Sequence, residues 1–198
     1  MRWFTPPAYI GRFSHRTRRE NLKRMQEAVF DLVVIGGGIT GAGIARDAAQ
    51  RGMKVALLEK GDYGGGTSSR SSKLIHGGLR YLKQLDIGLV RESLAERQHL
   101  MKVAPYLVFP IEFVFPIYAG WTDRFEKWVG MLGYDLLKRG DNLARHRNLS
   151  PEEVLELEPQ LRVDRLSGGF VYYDCVVNDA RLTLLTLKTA AEQGARGA

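Results

Sequence analysis

Between Val33 and Glu59 the apolar residues change rhythm twice. Val33-Val34-Ile35 is a short unbroken apolar run and predicts a strand. Gly36-Gly37-Gly38 ends it, a helical stretch follows, and Lys54-Val55-Ala56-Leu57-Leu58 predicts a second strand that closes on Glu59. Ala45 and Gly52 fall where the intervening helix must stay thin and then stop. Farther on, Ile87, Val90 and Leu94 line one face of a helix predicted from an N-cap at Asp86 to about Ala104, where Pro105 stops it. Residues 105–118 are apolar but broken by Pro110 and Pro116. The alternation Phe113, Phe115, Ile117 predicts a strand, in a stretch too short and too broken to span a bilayer. Trp121, Phe125, Trp128 and Leu132 recur at helical spacing, a stripe that suits core packing or a membrane interface. Gly140 to Pro151 reads as a loop. Ser150 with Pro151 behind it reads as an N-cap followed by proline at the first helical position. Gly168-Gly169 turns into a predicted strand Phe170-Val171-Tyr172-Tyr173, and Ala180 to Gln193 carries a helical pattern. In a doubly wound fold another strand should follow.

The strand, glycine turn, helix, strand and acid at 33–59 form a set with a chemical purpose. Gly36 permits a tight turn out of the first strand, Gly38 lets backbone approach a pyrophosphate, and Gly41 lets the helix pack close to the sheet. The helix N-terminus offers free N–H groups and the positive end of its dipole to phosphate. Glu59 is placed to accept hydrogen bonds from a ribose diol. Directly afterwards, residues 64–82 mix glycines, hydroxyls and cations, with Thr67, Ser68, Ser72, Lys73, Gly77 and Gly78 as candidates to line a long cofactor. A solvated linker would not interleave Leu74, Ile75, Leu79, Tyr81 and Leu82 with those groups.

Composition changes this picture little. The 198 residues are 44% hydrophobic and 26% charged, enough for a sizeable core. The net charge of +7 suits anionic ligands or an acidic membrane surface; no nucleic-acid motif accompanies it. Arg2, Arg12, Arg16, Arg18 and Arg19 make the first 19 residues basic. They read either as a frayed terminus or as an arm touching anionic lipid. The absence of an apolar leader region argues against secretion, and Pro6-Pro7 counts against a transit peptide. The single cysteine, Cys175, cannot form an internal disulfide, and no Cys/His cluster has metal spacing. His99, among Glu96, Arg97 and Gln98, reads as a solvated helix face. His146 reads as part of a basic loop. Only His76 stands beside glycines in the cofactor-proximal run.

Three segments resemble the FAD-dependent glycerol-3-phosphate dehydrogenases: Ile35 to Ala49, Gly66 to Leu82 with its His76-Gly-Gly-Leu-Arg80-Tyr81 run, and Tyr173-Asp174-Cys175-Val176-Val177-Asn178-Asp179-Ala180-Arg181-Leu182. Phe13 to Phe30, with Arg19-Glu20-Asn21-Leu22, is similar to the family's N-terminal helix. The resemblance implies an α/β chain. Its core is a Rossmann-like FAD-binding domain of the glutathione-reductase and D-amino-acid-oxidase type, with part of a substrate or cap domain, cut short of a longer two-domain protein. It divides as 1–28 (basic arm and lead-in helix), 29–104 (first part of the FAD-binding domain), 105–167 (part of the substrate domain) and 168–198 (return to the FAD-binding domain). The implied cofactor is FAD, and the implied reaction is oxidation of sn-glycerol 3-phosphate to dihydroxyacetone phosphate, with electrons passed to membrane quinone. Two alternatives stand beside it, an oxidase that uses oxygen and an inactive fragment. In the implied site Arg80 binds phosphate, His76 takes the proton or orients the hydroxyl, and Tyr81 contacts substrate. A cytoplasmic, peripherally membrane-bound homo-oligomer is the expected full-length form, with an anionic lipid surface as a further partner.

Overall fold

The computed structural model describes residues 13–78, 86–118, 130, 133 and 143–197. These divide into two compact units. Unit one takes the chain up to Lys73 and again from Asn178, and unit two is Leu74–Val177 between them. The boundaries expected at 104/105 and 167/168 do not coincide with these divisions.

In unit one a 3-10 turn, His15–Thr17, leads into α1 (Arg18–Glu27). Then come β1 (Leu32–Ile35), α2 (Ile39–Gln50) and β2 (Val55–Leu58), in the predicted order. After a 3-10 turn at Thr67–Ser69, the chain leaves the unit and returns as α5 (Asp179–Glu192) and β7 (Arg196–Gly197). The sheet order is β1-β2-β7, all parallel, with Leu32 opposite Val55 and Ala56 opposite Arg196. This is the 3-2-1 half of a doubly wound sheet, and β7 is the strand expected after the last helix. The core is built on small residues. Ala42, Ala45, Ala48 and Ala49 recur on one face of α2, so the helix lies close against Val34, Val55 and Leu57 of the sheet and Leu187 and Ala190 of α5. α2 stops as predicted: Gly52 has φ +83° and its N–H donates to Ala49 O at 3.0 Å. The opposite sheet face stays open among the described residues, with Val33 54% and Ile35 88% exposed.

Unit two contains β3 (Leu74–Ile75), α3 (Ile87–Val103), β4 (Val108–Ile117), β5 (Arg147–Leu149), α4 (Pro151–Leu157) and β6 (Gly168–Val177). Its sheet is antiparallel, ordered β3-β6-β4, with β5 also on β6. Asp86 caps α3 by accepting from Leu89 N, and Val90 and Leu94 are buried, but Ile87 is exposed, a correction to the predicted face. The strand predicted around Phe113 runs unbroken through both prolines, with Pro110 opposite Cys175 and Pro116 opposite Gly169. Two features allow this. The prolines are six residues apart, so their nitrogens face the same edge, and among the described residues β4 pairs only with β6. The alternation does not give a clean buried face either: Phe115 is exposed, and Phe113 stacks on Tyr172 with ring centroids 5.3 Å apart. Part of the expected loop before Pro151 is the strand β5. Ser150 and Glu153 complete a capping box on α4. The Trp121, Phe125, Trp128 and Leu132 stripe lies outside the described residues.

The deepest polar contact of unit two is a buried ion pair that runs against the solvated helix face expected around His99. Arg97 lies in α3 among charges assigned to solvent, yet it is 0% exposed and forms an ion pair with Asp174 of β6, itself 3% exposed. Its guanidinium also donates to Tyr173 O at 3.4 Å. Arg97→Ala strands a buried carboxylate and is expected to destabilise the fold by about 3–5 kcal/mol, whereas Arg97→Met with Asp174→Asn, which removes both charges and keeps an acceptor for Gly77 N–H, recovers most of that loss. Urea midpoints of the wild-type, single and double variants measure both.

Candidate functional site

The turn between β1 and α2 is shaped by two glycines. Gly36 has φ +108° and donates its N–H to Leu58 O at 2.8 Å, closing the turn over β2. A Cβ on Gly41 would lie 1.9 Å from Gly36 O, so the first turn of α2 sits directly on the loop. Both match the roles expected of them. Gly38 is the N-cap residue of α2, in extended backbone. It leaves the N–H of Ile39 pointing out of the helix, where Ser68 Oγ accepts it at 2.9 Å. Ser68 therefore stands at the mouth of the helix N-terminus. Thr67 is exposed beside it on the same 3-10 turn.

Glu59 follows β2 directly. One carboxylate oxygen accepts from Gly37 N at 2.8 Å and the other from Gly61 N at 2.8 Å. These two N–H groups, Gly37's first, hold its carboxyl below the usual range. Each oxygen keeps a lone pair for a further donor such as a sugar hydroxyl. Beside Glu59 opens a cavity of about 350 Å³, lined also by His15, Arg18, Asn21, Asp62 and Leu184. Asn21 is fixed in its wall by donating Nδ2–H to Gly197 O at 3.0 Å. Phe13 stacks on Tyr63 with ring centroids 5.5 Å apart. Residues 13–21, expected to form part of the basic arm and lead-in helix, also line this cavity. Their only signal was Asn21, an amide whose partner lies 176 positions away.

Downstream, the Ser71–Lys73 segment is organised by a residue that was not a site candidate. Asp179 Oδ2 accepts from Ser71 N at 3.2 Å and Ser71 Oγ at 2.7 Å. Its Oδ1 accepts from Lys73 Nζ at 3.2 Å and from Ala180 N at 2.8 Å. Lys73, a candidate cofactor contact, thus has its ammonium on Asp179 and its backbone at φ +60°. Ser72 is exposed between them. His76, Gly77 and Gly78 belong to unit two. The imidazole is exposed, both glycines are buried, and Gly78 N donates to His76 Nδ1 at 3.0 Å. Arg80 and Tyr81 lie outside the described residues.

Residues 31–196 match the family described as FAD dependent oxidoreductase. The chain is 49% identical over 174 residues to glycerol-3-phosphate dehydrogenase 2 of Mycobacterium tuberculosis, covering 87% of this chain and 30% of the relative. It is 46% identical over 187 residues to alpha-glycerophosphate oxidase of Streptococcus pyogenes, covering 92% and 31%. Among solved structures, the glycerol-3-phosphate dehydrogenase from Bacillus halodurans complexed with FAD aligns with TM-score 0.67 at 35% identity, over 92% of this chain and 28% of that one. The chain thus spans about a third of the length of these relatives.

The Asp179 carboxyl is held far below its ordinary value of 3.8, first by the Ser71 hydroxyl and then by Ala180 N–H, Lys73 and Ser71 N–H, against the opposing cost of desolvation. A depressed folded value gives stability that is complete above the unfolded value and is lost as pH falls through the folded one. Asp179→Asn is therefore expected to melt below wild type at neutral pH, with the gap narrowing once pH drops under 3.8. Thermal melts across that range provide the check.

Proposed function

The chain belongs to the FAD-dependent oxidoreductase family, and from that premise we propose that it is the cofactor-binding front portion of an enzyme that oxidises sn-glycerol 3-phosphate to dihydroxyacetone phosphate. The observation that carries the cofactor assignment is the arrangement around Glu59. Its carboxylate, the Gly36–Gly38 turn and the N-terminus of α2 stand together, with acceptor capacity left on the acid and an adjoining cavity of about 350 Å³. These residues fit the adenosine and pyrophosphate half of FAD. Glu59 takes the ribose hydroxyls, the cavity takes the base, and the α2 N-terminus with Ser68 and Gly38 takes the phosphates. We keep Thr67, Ser72 and Lys73 of unit one and, separately, Gly77 and Gly78 of unit two as proposed cofactor contacts. The substrate assignment is supported by relatives named for glycerol 3-phosphate.

A bound flavin supplies the hydride acceptor. The protein must fix the substrate phosphate, orient the hydroxyl on the reacting carbon and handle its proton. We assign the phosphate to Arg80, whose planar guanidinium binds it through two parallel N–H groups, and the hydroxyl to His76, with Tyr81 as a neighbouring contact. Electrons then pass to membrane quinone from a peripherally bound, cytoplasmic homo-oligomer. Among the described residues no helix is long and apolar enough to cross a membrane. The similarity to a relative named an oxidase makes oxygen the rival acceptor, and hydrogen peroxide formation during turnover separates the two.

Titrating the purified chain with FAD is expected to quench flavin fluorescence to saturation. Gly38→Leu, which places a side chain where the pyrophosphate would lie, is expected to abolish the quenching while circular dichroism stays unchanged. Quenching that survives in Gly38→Leu rejects the loop as the phosphate site. In a protein that turns over, Arg80→Ala is expected to raise KM for glycerol 3-phosphate by the loss of a charge-assisted contact worth roughly 1.5–3 kcal/mol, with FAD retained. Steady-state kinetics of that variant measures the change.

A further inference from the structure

We propose that Asp174, braced by Arg97, is a positioning residue for His76, fixing the turn that makes Nε2 of its ring a hydrogen-bond donor. The inference deepens the role assigned to His76 above and rests on that reading for what the ring faces.

The argument begins with strand register. β3 pairs with β6 only at Leu74↔Val176 and Ile75↔Cys175. Continued by one step, the register puts His76 opposite Asp174, but there the ladder stops. The Asp174 side chain takes over as acceptor, and its Oδ1 receives Gly77 N–H at 3.0 Å. The same oxygen receives the Arg97 guanidinium. An oxygen shared between a backbone amide and a buried cation has little freedom, because moving it toward one partner strains its bond to the other. With Gly77 held in this way, Gly78 turns at φ +72° and its N–H meets His76 Nδ1 at 3.0 Å.

That last bond decides where the ring proton sits. A neutral imidazole has one donor nitrogen and one acceptor nitrogen. Nδ1 is accepting from Gly78, so in the neutral ring the proton belongs on Nε2. In this state His76 offers an N–H to an oxygen, such as a substrate hydroxyl or the carbonyl it becomes, and does not offer a lone pair to take a proton. The hydroxyl-orienting role follows, and the proton must leave by another group. Asp174 and Arg97 touch no substrate on this account; they act through the Gly77 amide.

The test reads the ring directly and needs neither flavin nor substrate. In the ¹⁵N-labelled chain, long-range proton–nitrogen correlation of the His76 ring, assigned by its loss in His76→Gln, is expected to show one tautomer with Nδ1 unprotonated. Arg97→Met/Asp174→Asn keeps an acceptor for Gly77 without the charges and is expected to keep that pattern. Arg97→Met/Asp174→Leu removes the acceptor while filling the space, and is expected to give averaged nitrogen shifts from interconverting tautomers. Should the leucine variant fail to fold, Arg97→Met/Asp174→Ala replaces it with the same expectation. A wild-type ring protonated on Nδ1, or a wild-type pattern in the variant lacking the acceptor, overturns the proposal. Loss of FAD binding with the expected ring pattern intact would reject the functional reading and leave the positioning role standing.

Discussion

Asp179 fastens together stretches of chain that lie 108 positions apart and fixes where the chain re-enters unit one. Unit one is interrupted after Lys73 and resumes at Asn178. At that crossing one carboxylate holds Ser71 on one oxygen and Lys73 on the other. The same residue begins α5, where a negative charge meets the positive end of the helix dipole. Asn178 caps this helix by accepting from Arg181 N at 3.0 Å, so helix initiation and chain re-entry are settled by two adjacent side chains. With α5 placed, Leu187 and Ala190 reach the alanine face of α2, and β7 arrives beside β2.

Each unit uses an acid to govern backbone amides that regular structure has left unpaired. Glu59 takes Gly37 and Gly61 where β2 ends, and Asp174 takes Gly77 where β3 ends. In both cases a glycine loop lacks the ladder partners that a strand would give it, and a carboxylate supplies fixed acceptors in their place. A loop held in this way approaches a ligand already shaped, so less conformational entropy is lost on binding.

The parts legible in the sequence were those written in local pattern. The glycine spacing at 36–41, the Asp86 cap and the Ser150–Pro151 start sit within a few residues of the structure they specify, and the acid at 59, which reaches Gly37 22 positions away, is marked by its place at the end of β2. Arg97 was misread because nothing near it in sequence differs from a solvated helix face; its partner Asp174 is 77 positions away. β5 was read as loop because Arg147-Asn148-Leu149 becomes a strand only through its pairing with β6. Pro110 and Pro116 were read as breaks, although an edge strand can turn its missing donors outward. The cavity wall made by His15, Arg18 and Asn21 was likewise invisible, since it exists only once α1 meets Gly197.

The interruption of unit one also shapes how the molecule comes to be folded. Unit two is one continuous stretch, yet its sheet is non-local as well: β6 meets β4 across 51 to 69 positions, β3 across 100 to 102 and β5 across 20 to 24. The parallel strand β7 reaches farther still, because Arg196 must find Ala56 140 positions away. Closing so long a loop costs little more than closing a shorter one, roughly 0.6 kcal/mol for each doubling of length. The penalty falls on speed, since non-local parallel pairing is slow to nucleate. The inserted unit can therefore be long at small cost to stability, while assembly of the parallel sheet waits on β7.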